Sequence, residues 1–518
     1  MKHSFLSKTF GLLASLSACA LMLACGGSTT KNPTVTGSIA STSNPLVAQY
    51  SVTSDCAGVA MVEFGPDTSY GRSTNWVSVS GGEKTDILVA GMRAASTYHM
   101  RAQTICSGTS KSVMTPDTTF KTGALPSKPF AQMTVSRPSP SATSPENPGI
   151  ELINLFALTA DVFQAYFTDR DANPIWYYDV GPAGNYPNTI KLLPNGHMIL
   201  SIGTPTDSIL REVDLAGNTI REMDIPALAA KTSAAGYDFT PGAYHHDICP
   251  LPNGHLIVLA NTTKDFTDLP GYPGTTHVLG DVLIDLDENW DPVWSWNSFD
   301  NLDVTRHLNG LPDWTHSNAV VYLPNDGNLL LSMRHQSWVL KINYSNGTGA
   351  GDVLWRLGWQ GDFDLTQNGV LTTDTNLWFS FQHFPSPTSQ NGTQTAMTIW
   401  DNGDARVDSN GDICTGGCYS RATLYTVDEG SMVADLSWQD LPGYFSLWGG
   451  SINQLPNSNV EFDLNAPFPP SSADWASEVQ EVTQTSTPEI VWQMDIASPN
   501  AYRAYRIPSL YPGVTWQN

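Results

Sequence analysis

Four times along the chain the same turn recurs: Leu193-Pro194-Asn195-Gly196-His197, Leu251-Pro252-Asn253-Gly254-His255, Leu323-Pro324-Asn325-Asp326-Gly327 and Leu455-Pro456-Asn457. Trp400-Asp401-Asn402-Gly403 reads as a looser copy. Proline presets one backbone angle and Asn or Gly supplies a positive φ, as a tight hairpin turn requires. A second element recurs between these turns, an Asp-rich turn leading into an apolar or Trp-bearing strand. It appears at Asp169 to Tyr177, Asp214 to Met223, Asp285 to Trp296, Asn343 to Trp355, Asp428 to Trp438 and Thr485 to Trp492. A two-part repeat of this length means one supersecondary unit used over and over. Six such ends predict six four-stranded blades, an all-β, six-bladed β-propeller over residues 148–518. The 42 Gly, 35 Pro and 16 Trp residues suit short strands joined by tight turns.

Ahead of the repeat, residues 34–122 alternate apolar and polar in short runs, at 47–52, 59–64, 76–79 and 96–103. Leu88 to Met92 followed by Thr97-Tyr98 looks like the tyrosine corner of a fibronectin type III-like β-sandwich. This segment gathers no titratable cluster, so a scaffolding or docking role is expected. Residues 123–147, with Pro138, Pro140 and Pro145, read as an extended linker.

Lys2 and Lys8 before the apolar stretch Phe10 to Ala24 predict a signal peptide over 1–24. Leu21-Met22-Leu23-Ala24-Cys25 resembles a bacterial lipobox, which makes Cys25 the lipidated head of a tether over 25–33. Leu16-Ser17-Ala18-Cys19 is a competing match. An exported, periplasmic lipoprotein is therefore expected, touching membrane only through its lipid. In an oxidising compartment Cys56 with Cys106, and Cys414 with Cys418, are expected disulfides, and Cys249 is left over. A C-x3-C pair with no second pair at finger spacing is a poor zinc signal, so no metal is expected.

The formal charge of −24 argues against a nucleic-acid partner, which needs a basic footprint. Chemistry has to come from the inner strands, whose ends meet at a propeller's central channel. Counting back from each turn Leu, His316 and Asn318 precede Leu323 by seven and five residues, and Tyr244 and His246 precede Leu251 likewise. Strand side chains alternate, so these four should face the channel, with His245 turned away unless a bulge reverses the choice. Met333-Arg334-His335-Gln336 and Phe381-Gln382-His383-Phe384 lie at comparable places on the following blades. Single histidines are usually structural; His197, His255, His99, His277 and His307 are read so. Four imidazole-bearing segments converging with an arginine are harder to dismiss.

At these residues the sequence resembles the bacterial aryl-sulfate sulfotransferases. The shared pieces are His245-His246-Asp247, Asp313-Trp314-x-His316-x-Asn318, Ser332-x-Arg334-His335-Gln336 and Gln382-His383, in the same order on a six-bladed propeller behind an N-terminal β-sandwich. The resemblance implies a cofactor-independent enzyme that takes sulfate from an aryl ester, holds it on a histidine and passes it to a phenol. Small aromatic sulfate esters and phenols are its implied partners. It implies His383 as nucleophile, with His246, His316, Asn318 and Arg334 binding and stabilising, and a short Cys414–Cys418 bridge downstream. Phe384-Pro385-Ser386-Pro387 after the nucleophile departs from the family's pattern of small polar residues and leaves acceptor preference open.

The residues also make physical sense for this chemistry. Sulfuryl transfer spreads charge over equatorial oxygens, which fixed donors can stabilise. Arg334 offers a planar fork, and a nearby guanidinium keeps the nucleophilic imidazole neutral. A second histidine can pass the phenol proton. Tyr244, Trp314 and Phe384 are candidate aromatic walls. The competing reading is a non-catalytic secreted propeller that binds a protein or carbohydrate, and a homodimer is left open. No nucleotide phosphate loop occurs, and Cys249-Pro250-Leu251-Pro252-Asn253 lacks the arginine of a sulfatase motif.

Overall fold

The computed structural model describes residues 33–108, 111–139, 144–406, 418–468 and 476–517. With 50% strand and 5% helix the protein is all-β, and no sheet closes on itself. The predicted signal peptide, Cys19, Cys25 and Cys414 lie outside the described residues.

Residues 33–121 form two antiparallel sheets. One joins Val35–Ser41, Ala48–Ser54 and Lys84–Val89, and the other is built on Gly58–Gly65 paired with Thr97–Cys106. Ala48–Ser54 buries every second residue, which turns Tyr50 and Val52 into one core with Val62, Phe64 and Met100. The Tyr98 hydroxyl accepts the Arg93 backbone N–H at 2.9 Å. Cys56 and Cys106 are bonded, with Cα atoms 5.7 Å apart, as expected. The chain's end docks on this unit. Trp516 stacks edge-on to Phe64 at 5.7 Å and donates to the Ser73 carbonyl at 3.0 Å.

Six sheets follow. The second, third and fourth are simple four-stranded meanders that start at Tyr186–Leu192, Tyr244–Pro250 and Ser317–Leu323. The fifth starts at His383–Asn391 and is widened at its outer edge by Asp364–Gln367, which runs parallel to Val433–Asp440. The sixth starts at Ile452–Gln454. Its outermost strand is Met133–Ser136, so the predicted linker is partly a strand paired with Ile490–Ile496. The first sheet is completed from the far end of the chain: Ala501–Ile507 pairs with Ile150–Leu155.

The four Leu-Pro-Asn turns each join the first strand of a sheet to its second, and the Asp-rich turns each join the third to the fourth. Trp400 to Gly403 is not a copy of the former. The fifth sheet makes its first hairpin at Asn391–Gln394, and Asn402 sits at the opposite end.

Each sheet holds the next through these outer turns. Trp176 donates to Leu215 O (2.8 Å), Arg221 to Glu288 O (2.5 Å), Trp294 to Gly349 O (2.9 Å) and Trp438 to Thr485 O (2.9 Å), while Lys341 pairs with Glu429 (2.6 Å). Trp492 of the sixth sheet then donates to Arg170 O of the first at 2.9 Å, so the order returns to its start. The first strands of the second to sixth sheets also touch in succession. Where first and sixth sheets meet, buried Arg506 binds three buried glutamates: Glu151, Glu481 at 2.6 Å and Glu461 at 3.3 Å. An uncompensated charge there would be costly, so this cluster works only as a set.

Candidate active site

Three successive inner strands carry a bulge at the same end. Pairing slips between Tyr244 and Ile248, between Ser317 and Ala319, and between His383 and Ser386. His246, His316 and Phe384 there have φ of 54°, 46° and 51°. A bulge re-aims a side chain, and a non-glycine residue stays left-handed only where its surroundings over-determine it. The period-two count therefore fails at these ends. His245 and His246 both line the cavity that results, so the choice between them dissolves.

That cavity holds about 1130 Å³ and brings together Tyr244, His245, His246, His316, Arg334 and His383. Asn318 and Trp314 are not in its wall. Asn318 is fully buried behind it and donates to the Gln382 carbonyl at 2.7 Å, bracing the segment that carries His383. Trp314 stacks on Phe299 at 5.4 Å in a separate apolar cluster and donates to Arg306 O at 2.8 Å. Phe384 points away as well, against Tyr505 at 5.5 Å.

His383 is 1% exposed. Its Nδ1 lies 2.7 Å from Asn402 Oδ1, and Asn402 Nδ2 donates to the Ser446 and Gly449 carbonyls at 2.7 and 3.2 Å. Two carbonyl acceptors fix the amide's orientation, so its oxygen must accept and His383 must carry its proton on Nδ1. Nε2 keeps its lone pair, with only the Gly449 N–H at 3.2 Å directed to it among the described residues. Burial, then the Arg334 and Arg503 guanidiniums, hold the pKa of His383 well below the ordinary histidine range. Burial and the neighbouring imidazoles of His316, His245 and His383 do the same to His246, whose ring is 4.8 Å from that of His316.

Arg334 is held from three sides: Asp404 Oδ2 at 2.8 Å, the Leu447 carbonyl at 3.0 Å and His335 Nε2 at 2.8 Å. His335 accepts there because its Nδ1 donates to the Asp313 carbonyl at 2.7 Å, and burial with His316 nearby brings its pKa down to about 4. His316 is stacked on His335 at 4.5 Å, and its Nδ1 meets Asp313 Oδ2 at 2.5 Å. Burial alone would raise Asp313, but the His316 bond and the charge interactions with His316 and His335 together outweigh it and keep the carboxyl below its usual range. Asp313, His316 and His335 offer ligand atoms within 4.8 Å of one another, the one such group among the described residues. Both Nδ1 atoms are already spent on Asp313, so the trio serves as a brace for Arg334.

Several cavity residues escaped the sequence reading. Asp404 follows two residues after Asn402, in a segment taken for a hairpin turn. Tyr502 arrives on the last strand, 6.1 Å ring to ring from His383, with no motif around it. Beside it Arg503 is fully buried on Asp247 Oδ1 at 3.0 Å, which Lys191 also meets at 3.1 Å. The aspartate of the His-His-Asp segment is thus an anchor under the floor. Phe156, Tyr186, Trp378, Phe379 and Trp448 make the walls, and partly exposed Leu308, Trp359 and Leu447 form the mouth. Cys418 is disulfide-bonded, while its expected partner Cys414 is outside the described residues.

No curated protein matches the chain. Among solved structures, a Lactobacillus plantarum protein aligns at 10% identity and TM-score 0.34, over 70% of this chain and 99% of its own. Drosophila Plexin A in complex with Semaphorin 1b aligns at 10% identity and TM-score 0.28, over 66% and 55%. The profile of a family described as Arylsulfotransferase (ASST) matches residues 143–506, a span that contains every cavity residue described above. The chain belongs to the arylsulfotransferase family, sulfotransferases whose substrates are aryl sulfates and phenols.

Proposed function

We propose that the protein moves a sulfuryl group from an aryl sulfate to a phenol through a sulfohistidine on His383, in a ping-pong cycle without a nucleotide donor. The observation that carries this reading is the hydrogen-bond geometry of His383, which assigns it a neutral ring with its proton on Nδ1 to Asn402 and its lone pair on Nε2. In the first half-reaction Nε2 attacks sulfur, the N–S bond forms, and the S–O bond breaks with its electron pair leaving on the aryl oxygen. The second half-reaction runs the same steps backward with a new phenol.

Charge on the sulfuryl oxygens is met by donors already in place. Arg334 supplies its positive charge with the Nε–H and the Nη1 proton that its other partners leave over, and the Gly449 N–H, now at Nε2, is free to turn to a sulfuryl oxygen once Nε2 is taken. His246 and His316 give further hydrogen bonds, and Tyr244 and Tyr502 flank them. Asn318 acts one layer behind by positioning the Gln382 carbonyl. The mouth residues Leu308, Trp359 and Leu447 and the aromatic walls suit a flat, apolar body. The cyclic order of six sheets supports reading the fold as a six-bladed β-propeller, with residues 34–122 as a fibronectin type III-like unit and the inner strand ends as the mouth of a channel. Signal peptide and lipid on Cys25 would make it a periplasmic lipoprotein.

Incubation with a chromogenic aryl sulfate tests the reaction. Colour released should rise steeply on adding phenol, and brief exposure without acceptor should add one sulfuryl group at His383. A ternary-complex rate law with no adduct would refute the carrier.

A further inference from the structure

Taken together, the imidazoles of the cavity leave a gap in the proposed cycle. The departing aryl oxygen needs a proton when its phenol is weakly acidic, and the acceptor phenol must lose one. His383 spends its N–H on Asn402. His246 and His335 are held neutral by burial and by the imidazole of His316 beside each, and a neutral imidazole is a poor acid. Another group has to carry the proton.

Asp404 is placed for it. The residue lines the cavity, and its side chain is 11% exposed. One oxygen, Oδ2, is on Arg334 at 2.8 Å, while Oδ1 is buried with no hydrogen-bond partner among the other described residues. A buried carboxyl oxygen without a partner is costly unless it holds a proton or serves a ligand. It sits on the short loop Asp401–Asp404 whose Asn402 orients His383. One loop thus fixes the nucleophile, the sulfuryl-binding guanidinium and a free carboxyl oxygen.

We propose, on the basis of the sulfohistidine reading, that Asp404 is a further catalytic residue, the acid and base that hands the phenol proton across in both half-reactions. In the first, Nε2 of His383 takes the sulfuryl group, the S–O pair goes to the aryl oxygen, and the proton on Asp404 Oδ1 follows it. Phenol, an Asp404 carboxylate and an N-sulfoimidazolium result, and total charge is unchanged. In the second, the carboxylate takes the acceptor's proton as its oxygen attacks sulfur and the N–S pair returns to Nε2. The groups facing Asp404 are Arg334, Asp401 and Arg406, with Arg406 itself bound to Asp401. Burial outweighs the pull of Arg334 and brings Asp404 up to about 7, where it can both give and take a proton.

The test is a series of aryl sulfates whose phenols range from nitrophenol to unsubstituted phenol, with adduct formation read in single turnover. Asp404→Asn keeps a contact to Arg334 but cannot give a proton. Its loss should grow along the series, from a few-fold with nitrophenyl sulfate to on the order of 10²-fold with phenyl sulfate. An equal loss for every donor would mean that Asp404 only positions Arg334, and would overturn the proposal. So would a steepened series in His316→Asn but not in Asp404→Asn, since the His316–Asp313 pair is the competing carrier. If Asp404→Asn does not fold, the wild type decides. The phenyl-to-nitrophenyl rate ratio should fall about tenfold per pH unit above about 7, and a flat ratio would overturn the assignment. Absence of any adduct from any donor would instead defeat the His383 reading.

Discussion

Replacing Asn402 by alanine is the sharpest probe of how His383 is made reactive. The side chain touches no substrate in the proposed cycle, yet its Oδ1 accepts the Nδ1 proton at 2.7 Å. His383 is 1% exposed, which leaves little room for solvent to replace that acceptor. A buried donor left unsatisfied costs about 1–3 kcal/mol. If that cost falls on the reactive tautomer, at about 1.4 kcal/mol per decade it slows attack roughly 5- to 150-fold. Asn402→Asp separates orientation from charge. It keeps the acceptor but adds an anion, which favours the imidazolium and raises the pKa of His383. The neutral ring needed for attack is then lost as pH falls through the raised value, so the variant should recover on going from pH 6 to pH 8. Wild type should lack this dependence there, because its His383 lies well below the usual range. The assay is single-turnover adduct formation from nitrophenyl sulfate, with thermal unfolding as a control for the lost bonds to Ser446 and Gly449. Wild-type rates in a folded Asn402→Ala protein would refute this account of the tautomer.

Arg334→Ala should slow adduct formation by on the order of 10²–10³-fold, the usual loss for one preorganised donor, with thermal unfolding measured alongside because the change also removes the partner of buried Asp404. Arg506→Met should destabilise by about 3–5 kcal/mol in denaturant titrations, because it strands Glu151 and Glu461 in the interior. Burial raises both carboxyls, so the deficit should be full above their raised pKa and shrink as acid supplies protons. Cys25→Ser should abolish incorporation of labelled fatty acid, and persistence of label would move the anchor to Cys19.

The turn grammar was legible because it is local chemistry. Pro-Asn-Gly after Leu193 and Leu251, and Pro-Asn-Asp-Gly after Leu323, close the first hairpin of their sheets whatever lies around them. The Trp at the end of an Asp-rich turn has a second use that spacing alone does not reveal. Trp176, Trp294, Trp438 and Trp492 hydrogen-bond to the corresponding turn of the next sheet. Trp400-Asp401-Asn402-Gly403 misled for the same local reason: Asn-Gly signals a turn, and here the turn is a loop that feeds the cavity. The strand at Met133–Ser136 was hidden because its partner, Ile490–Ile496, is contributed from the other end of the chain.

The candidate site was legible by residue type but not by direction. Alternation assumes a regular ladder, and the ladder breaks where His246, His316 and His383 leave it. In an unbroken strand His245 and His246 would face opposite sides; in the bulge their Nδ1 atoms approach to 2.7 Å. By the same break Asn318, two residues from His316, ends up behind the wall rather than beside it. The strain of a left-handed histidine, of order 1–3 kcal/mol at such positions, is tolerated only because neighbours on other strands hold it. For His316 those neighbours are Asp313 and His335, and the same two brace the arginine. Reactive groups and their supports are therefore one connected network, drawn from distant parts of the chain. That is why Asp404 and Tyr502, which no local pattern marks, sit beside the histidines that the pattern picked out.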